Sequence, residues 1–224
     1  MYRIAIPLLC LVFTTQVQAD TPTGLSAYES GNYSTALSEF KTSAKQGDPI
    51  AQLHMGHLYR EGKVGQLDYK QSAYWYLQAA KQGNTKAQSY MGLYYADGIG
   101  VRQDFQLASH WLELAAKAGD PAAQNSLASM FKNGLGQVPD YTKAADWYQK
   151  AALQGHPIAQ RNLGRLYERG RGVTANLIKA YAWFKVASEQ GNAYSTQNLR
   201  QLRAKMTEIQ LQSGEELAKT LPKR

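Results

Sequence analysis

From Pro49 onward the chain alternates two kinds of apolar-polar block, one after the other, with nothing inserted between units. The first kind, as in Pro49 to Arg60, sets Ala51, Met55, Leu58 and Tyr59 on one stripe at helical spacing. The second, as in Tyr69 to Lys81, does the same with Ala73, Tyr76, Leu77 and Ala80. Each pair of blocks therefore predicts a helical hairpin, and the pair recurs. Gly47, Gly83, Gly119, Gly155 and Gly191 stand 36 residues apart, as do Trp75, Trp111, Trp147 and Trp183. So do the Ala-Gln pairs that begin at Ala51, Ala87, Ala123 and Ala159. A fixed period of this size means stacked units that bury their apolar faces on one another, without a central core. The predicted units are 47–82, 83–118, 119–154 and 155–190, with a degenerate opening hairpin in 20–46 and closing helices in 191–224.

Inside each unit the residue choices carry further expectations. Gly56, Gly92 and Gly164 fall in mid-helix, with Ala128 in the third copy, where glycine costs about 1 kcal/mol against alanine. A glycine that recurs there predicts close approach by a neighbouring helix. The turns "GKVGQLD", "GIGVRQD", "GLGQVPD" and "GRGVTAN" offer glycine for positive φ at the end of the first helix. They close on Asp68, Asp104, Asp140 or Asn176 as caps of the second. Their G-x-G pieces follow no strand and reach no third glycine, so they do not predict a phosphate loop. The four tryptophans are expected to pack between hairpins.

These positions together, "AQ..LG.LY..G.GV..D...A..W...AA..G", resemble the Sel1-like repeat (SLR) family, a branch of the tetratricopeptide-like solenoids, over residues 47 to 190. The resemblance implies an all-α, right-handed α-solenoid of antiparallel helical hairpins. It also implies a scaffold that displays a groove to protein partners. The segment from Gly191 on is similar to the closing cap of exported bacterial members, with Thr207 and Gln210 spaced as a capping box. Cysteine-rich exported relatives pair their helices by disulfides, and here the chain departs from them.

The N-terminus accounts for that departure. "MYRIAIPLLCLVFTTQVQAD" puts Arg3 before an apolar run from Ile4 to Phe13, then Val17-Gln18-Ala19 where a signal peptidase cuts. The run is too short to span a bilayer as a helix. Cys10, the only cysteine, lies inside it and would leave with residues 1–19, so the mature chain has no thiol chemistry and no disulfide. Cleavage also removes Arg3, taking the formal charge from +8 to +7, a balance that suits acidic partners. No RGG, zinc-knuckle or RNP-like sequence accompanies the charge, so nucleic acid is not the predicted partner.

Candidate chemistry is sparse. Some members of the family have been linked to β-lactam binding or hydrolysis, which makes S-x-x-K spacings worth testing. They occur at Ser38-Lys41 and Ser129-Lys132, but a chain with this much serine and lysine yields about one by chance, and S-D-N and K-T-G are missing. His54, His57 and Glu61 share a helix face at i, i+3 and i+7 and could offer nitrogen and oxygen to zinc; a solvated polar face is the reading preferred. No cofactor motif is present, and no catalytic residue is assigned.

In tetratricopeptide-like solenoids the first helices line the inner face, so the resemblance places partner-facing residues at position 53 and its neighbours in each copy. They are Leu53, His54, His57 and Glu61, then Ser89, Tyr90, Leu93 and Asp97. The third copy gives Asn125, Ser126, Ser129 and Asn133; the fourth gives Arg161, Asn162, Arg165 and Arg169. The face thus runs from mixed to strongly basic, and the arginines at i, i+4 and i+8 repel one another unless an anion meets them. Arg161, Asn162, Arg165, Arg169, Asn125 and Ser129 are the candidate partner-binding residues. Three roles fit an exported solenoid: a periplasmic adaptor, a secreted factor acting on another cell's proteins, or a cell-wall-related enzyme that handles β-lactams. The leader makes the first prediction: the exported protein begins at about Asp20, to be read by N-terminal sequencing, and an intact Met1 or a lipidated Cys10 would overturn it.

Overall fold

The computed structural model describes residues 21–223, and the leader expected at residues 1–19 lies outside them. Among the described residues the chain forms twelve helices and no strand. An opening hairpin of α1 (Thr21–Glu29) and α2 (Tyr33–Lys45) precedes α3 (Pro49–Glu61) and α4 (Tyr69–Lys81). Next come α5 (Thr85–Asp97) and α6 (Phe105–Lys117), α7 (Pro121–Asn133) and α8 (Tyr141–Leu153), and α9 (Pro157–Arg169) and α10 (Leu177–Glu189). The last two are α11 (Ala193–Arg203) and α12 (Glu208–Thr220). From α1 to α11 each helix packs on the next, first helices touch first helices where α1 meets α3 and α5 meets α7, and α12 doubles back onto α10. This is an all-α solenoid, as the period implies.

The ends of the helices follow from side chains that satisfy orphan amides. Asp68, Asp104, Asp140 and Asn176 accept from the backbone at the start of the second helices, as their positions predict. Asp48, Asn84, Asp120 and His156 do the same for the first helices, His156 through Nδ1 at 3.2 Å from the amide of Ala159. Thr207 and Gln210 close the expected capping box on α12. The second glycine of each G-x-G has a separate reason. Gly100, at φ +65°, lies where a Cβ would stand 2.0 Å from the carbonyl oxygen of Tyr69, so the turn of one hairpin rests directly on the second helix of the hairpin before it.

The mid-helix glycines do bring helices close. A Cβ on Gly56 would come within 2.3 Å of the Tyr76 ring, one on Gly92 within 2.4 Å of Leu112, and one on Gly164 within 2.7 Å of Phe184. In each case the partner lies on the second helix of the same hairpin, twenty residues on. Ala128 and Tyr148 occupy the same places in the third hairpin, within one buried cluster. The caps reuse the device, Gly24 under Phe40 and Gly214 under Tyr181.

The Ala-Gln pairs hold hairpin to hairpin. The alanines, Ala51, Ala87, Ala123 and Ala159, are fully buried. The glutamines each donate Nε2 to a carbonyl eight residues earlier, on the preceding second helix: Gln52 to Ala44, Gln88 to Ala80, Gln124 to Ala116 and Gln160 to Ala152, at 3.1 to 3.2 Å. A second glutamine, just past α4, α8 and α10, donates to the side-chain oxygen of the first: Gln82 to Gln52, Gln154 to Gln124 and Gln190 to Gln160, at 2.7 to 2.8 Å. The tryptophans join clusters that combine the preceding hairpin with the first helix of their own, Trp75 with Phe40 and Met55 and Trp183 with Tyr148 and Leu163.

Gly56→Ala is expected to destabilise the protein. The methyl gains about 1 kcal/mol of helix propensity but displaces a fully buried ring at a cost near the upper end of the overpacking range, about 3 kcal/mol. Urea melts should show a net loss of about 2 kcal/mol, and a variant as stable as the parent would mean that the close approach is not needed.

Candidate functional site

The predicted inner face divides into two unlike halves. At the C-terminal half, α7 and α9 and the turn that follows α9 enclose a cavity of about 230 Å³. Lys132, Arg165, Arg169 and Arg171 line it, with Asn133, Tyr141, Asn162 and Leu166. Four cationic side chains meet there and no acid is among the lining residues. Burial first, then Arg165, Arg161 and Arg169, pushes the Lys132 ammonium down from its ordinary range. Like charges crowded in a half-buried place disfavour their own charged forms, and an opposite charge beside them would favour those forms.

Of the predicted residues, Arg165, Arg169 and Asn162 line this cavity, and Asn125 is tied to it through Asn162, whose Nδ2 donates to Asn125 Oδ1 at 3.3 Å. Ser129 accepts from Asn133 Nδ2 at 3.3 Å. Arg161 does not line this cavity but, with Arg165, Glu168 and Arg169, lines the adjoining groove beside α11. Its Nε donates to Asn198 Oδ1 at 3.2 Å, its guanidinium lies 5.0 Å from the centre of the Tyr194 ring, and burial and Arg165 push its pKa down. Glu168, the acid on the same helix as the arginines, is held by Lys205 at 3.3 Å. Among the described residues, neither Arg165 nor Arg169 forms an ion pair. Lys132 and Arg171 were not legible as site residues from the sequence. The register of Lys132 holds Arg60, Ala96 and Glu168 in the other copies, and Arg171 sits in a turn whose glycines drew the reading to backbone chemistry. Ser38 and Lys41 are both exposed on α2, while Lys132 faces arginines.

At the N-terminal half the expectation of a solvated polar face is wrong. His54 stacks on Phe40 with ring centres 5.0 Å apart and meets the edge of Tyr28 at 5.3 Å. His57 meets His54 at 5.3 Å, Tyr90 at 5.4 Å and Tyr76 at 5.6 Å, and Tyr90 in turn stacks on Tyr76 at 4.7 Å. The imidazoles are rungs of an aromatic ladder that fills this part of the groove. His54 Nδ1 and His57 Nε2 are buried there without a hydrogen-bond partner. Glu61 turns away from a ligand role, bonding Arg60 at 3.0 Å and Tyr28 at 3.1 Å. The cause is local: Tyr28 and Phe40 come from the degenerate opening hairpin, which carries no period to announce them. Burial, then His54 and Arg60, pushes His57 down to about 4, and burial also lowers His54.

The family model described as Sel1 repeat matches residues 49–84, 85–120, 121–156 and 157–192. Among solved structures, the chain is similar to a Sel1 repeat protein from Oxalobacter formigenes. That structure is 28% identical, with a TM-score of 0.77 over 91% of this chain and 86% of the other. It is also similar to a protective antigen of uropathogenic Escherichia coli displaying an SLR fold, 28% identical, with a TM-score of 0.57 over 89% of this chain and 52% of that one. A Sel1 repeat protein of Klebsiella pneumoniae, 21% identical with a TM-score of 0.53 over 84% and 97%, shares the fold. No curated protein matches the chain.

The ladder makes stability depend on pH. The unfolded state protonates His57 near its ordinary 6.5 and the folded state only near 4, so the stabilisation is complete above pH 6.5 and is lost as pH falls toward 4. The loss attributable to His57 should be roughly 2–3 kcal/mol. Melts from pH 8 to 4 should show it in the parent and much less of it in His57→Leu, which carries the residue of the second copy; equal slopes would remove the imidazole from the account.

Proposed function

The chain belongs to the Sel1 repeat family, and from that premise we propose that it is an exported, non-catalytic scaffold whose groove holds an acidic segment of a protein partner against α7 and α9. Sel1 repeat proteins are generally protein-interaction scaffolds, and the fold is typically non-catalytic. The observation that carries the acidic reading is the cavity in which Lys132, Arg165, Arg169 and Arg171 converge without an acid. Guanidinium forks hold carboxylates through two parallel bonds, which suits aspartate and glutamate side chains. The net positive charge of the chain supports the same choice by favouring encounter with an acidic partner. The leader read in residues 1–19 supports a periplasmic or secreted place of work.

The test uses a partner isolated on the mature protein and then titrated against variants. Arg165→Ala with Arg169→Ala removes two charge-assisted contacts worth roughly 1.5 to 3 kcal/mol each when shielded. Binding should weaken by tenfold or more with an unchanged circular dichroism spectrum, because neither arginine belongs to a buried apolar cluster. Arg161→Ala should matter less, since that side chain is engaged by Asn198 and Tyr194. Affinity should also fall with added salt. A double variant that binds as tightly as the parent at low salt would reject the acidic-segment reading.

A further inference from the structure

Across α7 from the basic cavity lies a second one, of about 210 Å³, lined by Leu93, Leu112, Met130 and Leu135 with Asn125 and Ser129. Leu112 and Met130 are buried, and the space beside them is large enough for one aliphatic or aromatic side chain. No charged residue lines it. α7 is the shared wall: Asn125 and Ser129 line the apolar cavity, and Lys132 and Asn133 line the basic one. Two hydrogen bonds run between the two sets, Asn162 to Asn125 and Asn133 to Ser129. The first uses one acceptor of Asn125 and one donor of Asn162, leaving the other half of each amide to a passing peptide backbone.

The cavities flank one helix, so their centres are separated by about one helix spacing, roughly 8–10 Å. An extended chain advances about 3.3 Å per residue, so that gap corresponds to three residues. We propose that the groove reads two features of its partner together: an acidic side chain in the basic cavity and an apolar side chain about three residues away in the cavity across α7. The inference rests on the acidic-segment reading and names the segment's second determinant. Charge complementarity fixes the occupant of one cavity. Continuity over a single helix, with free amide groups between, makes one extended segment the occupant of both.

The experiment uses the mature chain and blocked Gly/Ser peptides that carry an Asp pair and one Leu at spacings from one to six residues, in both orders. Dissociation constants from fluorescence anisotropy at low salt should pass through an optimum near three. Replacing the Leu by Ser in the best peptide should weaken it about tenfold. Ala96→Leu, which fills the apolar cavity from α5, should remove that difference while leaving the Ser peptide unaffected. Peptides whose binding depends on Arg165 but is indifferent to Leu would overturn the two-point inference and leave the acidic reading standing. A Leu effect equal at every spacing would overturn it too. If no acidic peptide binds, both fall. The spacing series is measured on the unaltered chain, so it decides the matter even if Ala96→Leu misfolds.

Discussion

Everything in this array depends on how closely the two helices of a hairpin can cross. Where Gly56, Gly92 and Gly164 remove a Cβ, a bulky side chain twenty residues on takes its place, and the backbones come together over Tyr76, Leu112 or Phe184. That contact sets the shape of the hairpin. A hairpin of fixed shape can be stacked at a fixed pitch, which allows the buried glutamines to find carbonyls eight residues back in every copy. Repetition of one steric accommodation thus builds a continuous inner face.

Repetition leaves that inner face free to vary. The packing positions are held by burial, while the residues between them are free of that constraint. Two outcomes appear in one chain. In the first copies the face closes on itself, with aromatic and imidazole rings meeting face or edge from Phe40 through Tyr90. In the last copies it stays open and basic, because guanidinium groups on one helix face cannot condense into a core. The antiparallel hairpins serve both ends equally.

What the sequence made legible follows the same division. Period, hairpins, capping residues and the glycine contacts all recur, and four copies of a position disclose its physics better than one. Features that occur once were hidden. His54 and His57 look like surface residues by their own spacing, and only the rings of Tyr28 and Phe40, from a stretch without repeat character, turn them inward. Arg165 and Arg169 could be placed from the period, whereas Lys132 and Arg171 joined them through a turn geometry and a register that differ from copy to copy.

The glutamine contacts are not continuous. Gln82, Gln154 and Gln190 each reach back to a glutamine of their own hairpin, but the corresponding position in the second hairpin is Ala118. There Lys86 on α5 reaches Asp120 at the head of α7 instead, at 2.5 Å, with an ammonium largely in water and a carboxylate that is not. A bond between neutral amides holds its strength in any buffer; a half-exposed ion pair weakens as counterions gather. The second hairpin is therefore the one whose closing contact answers to ionic strength, and it lies between the ring-filled half and the open half.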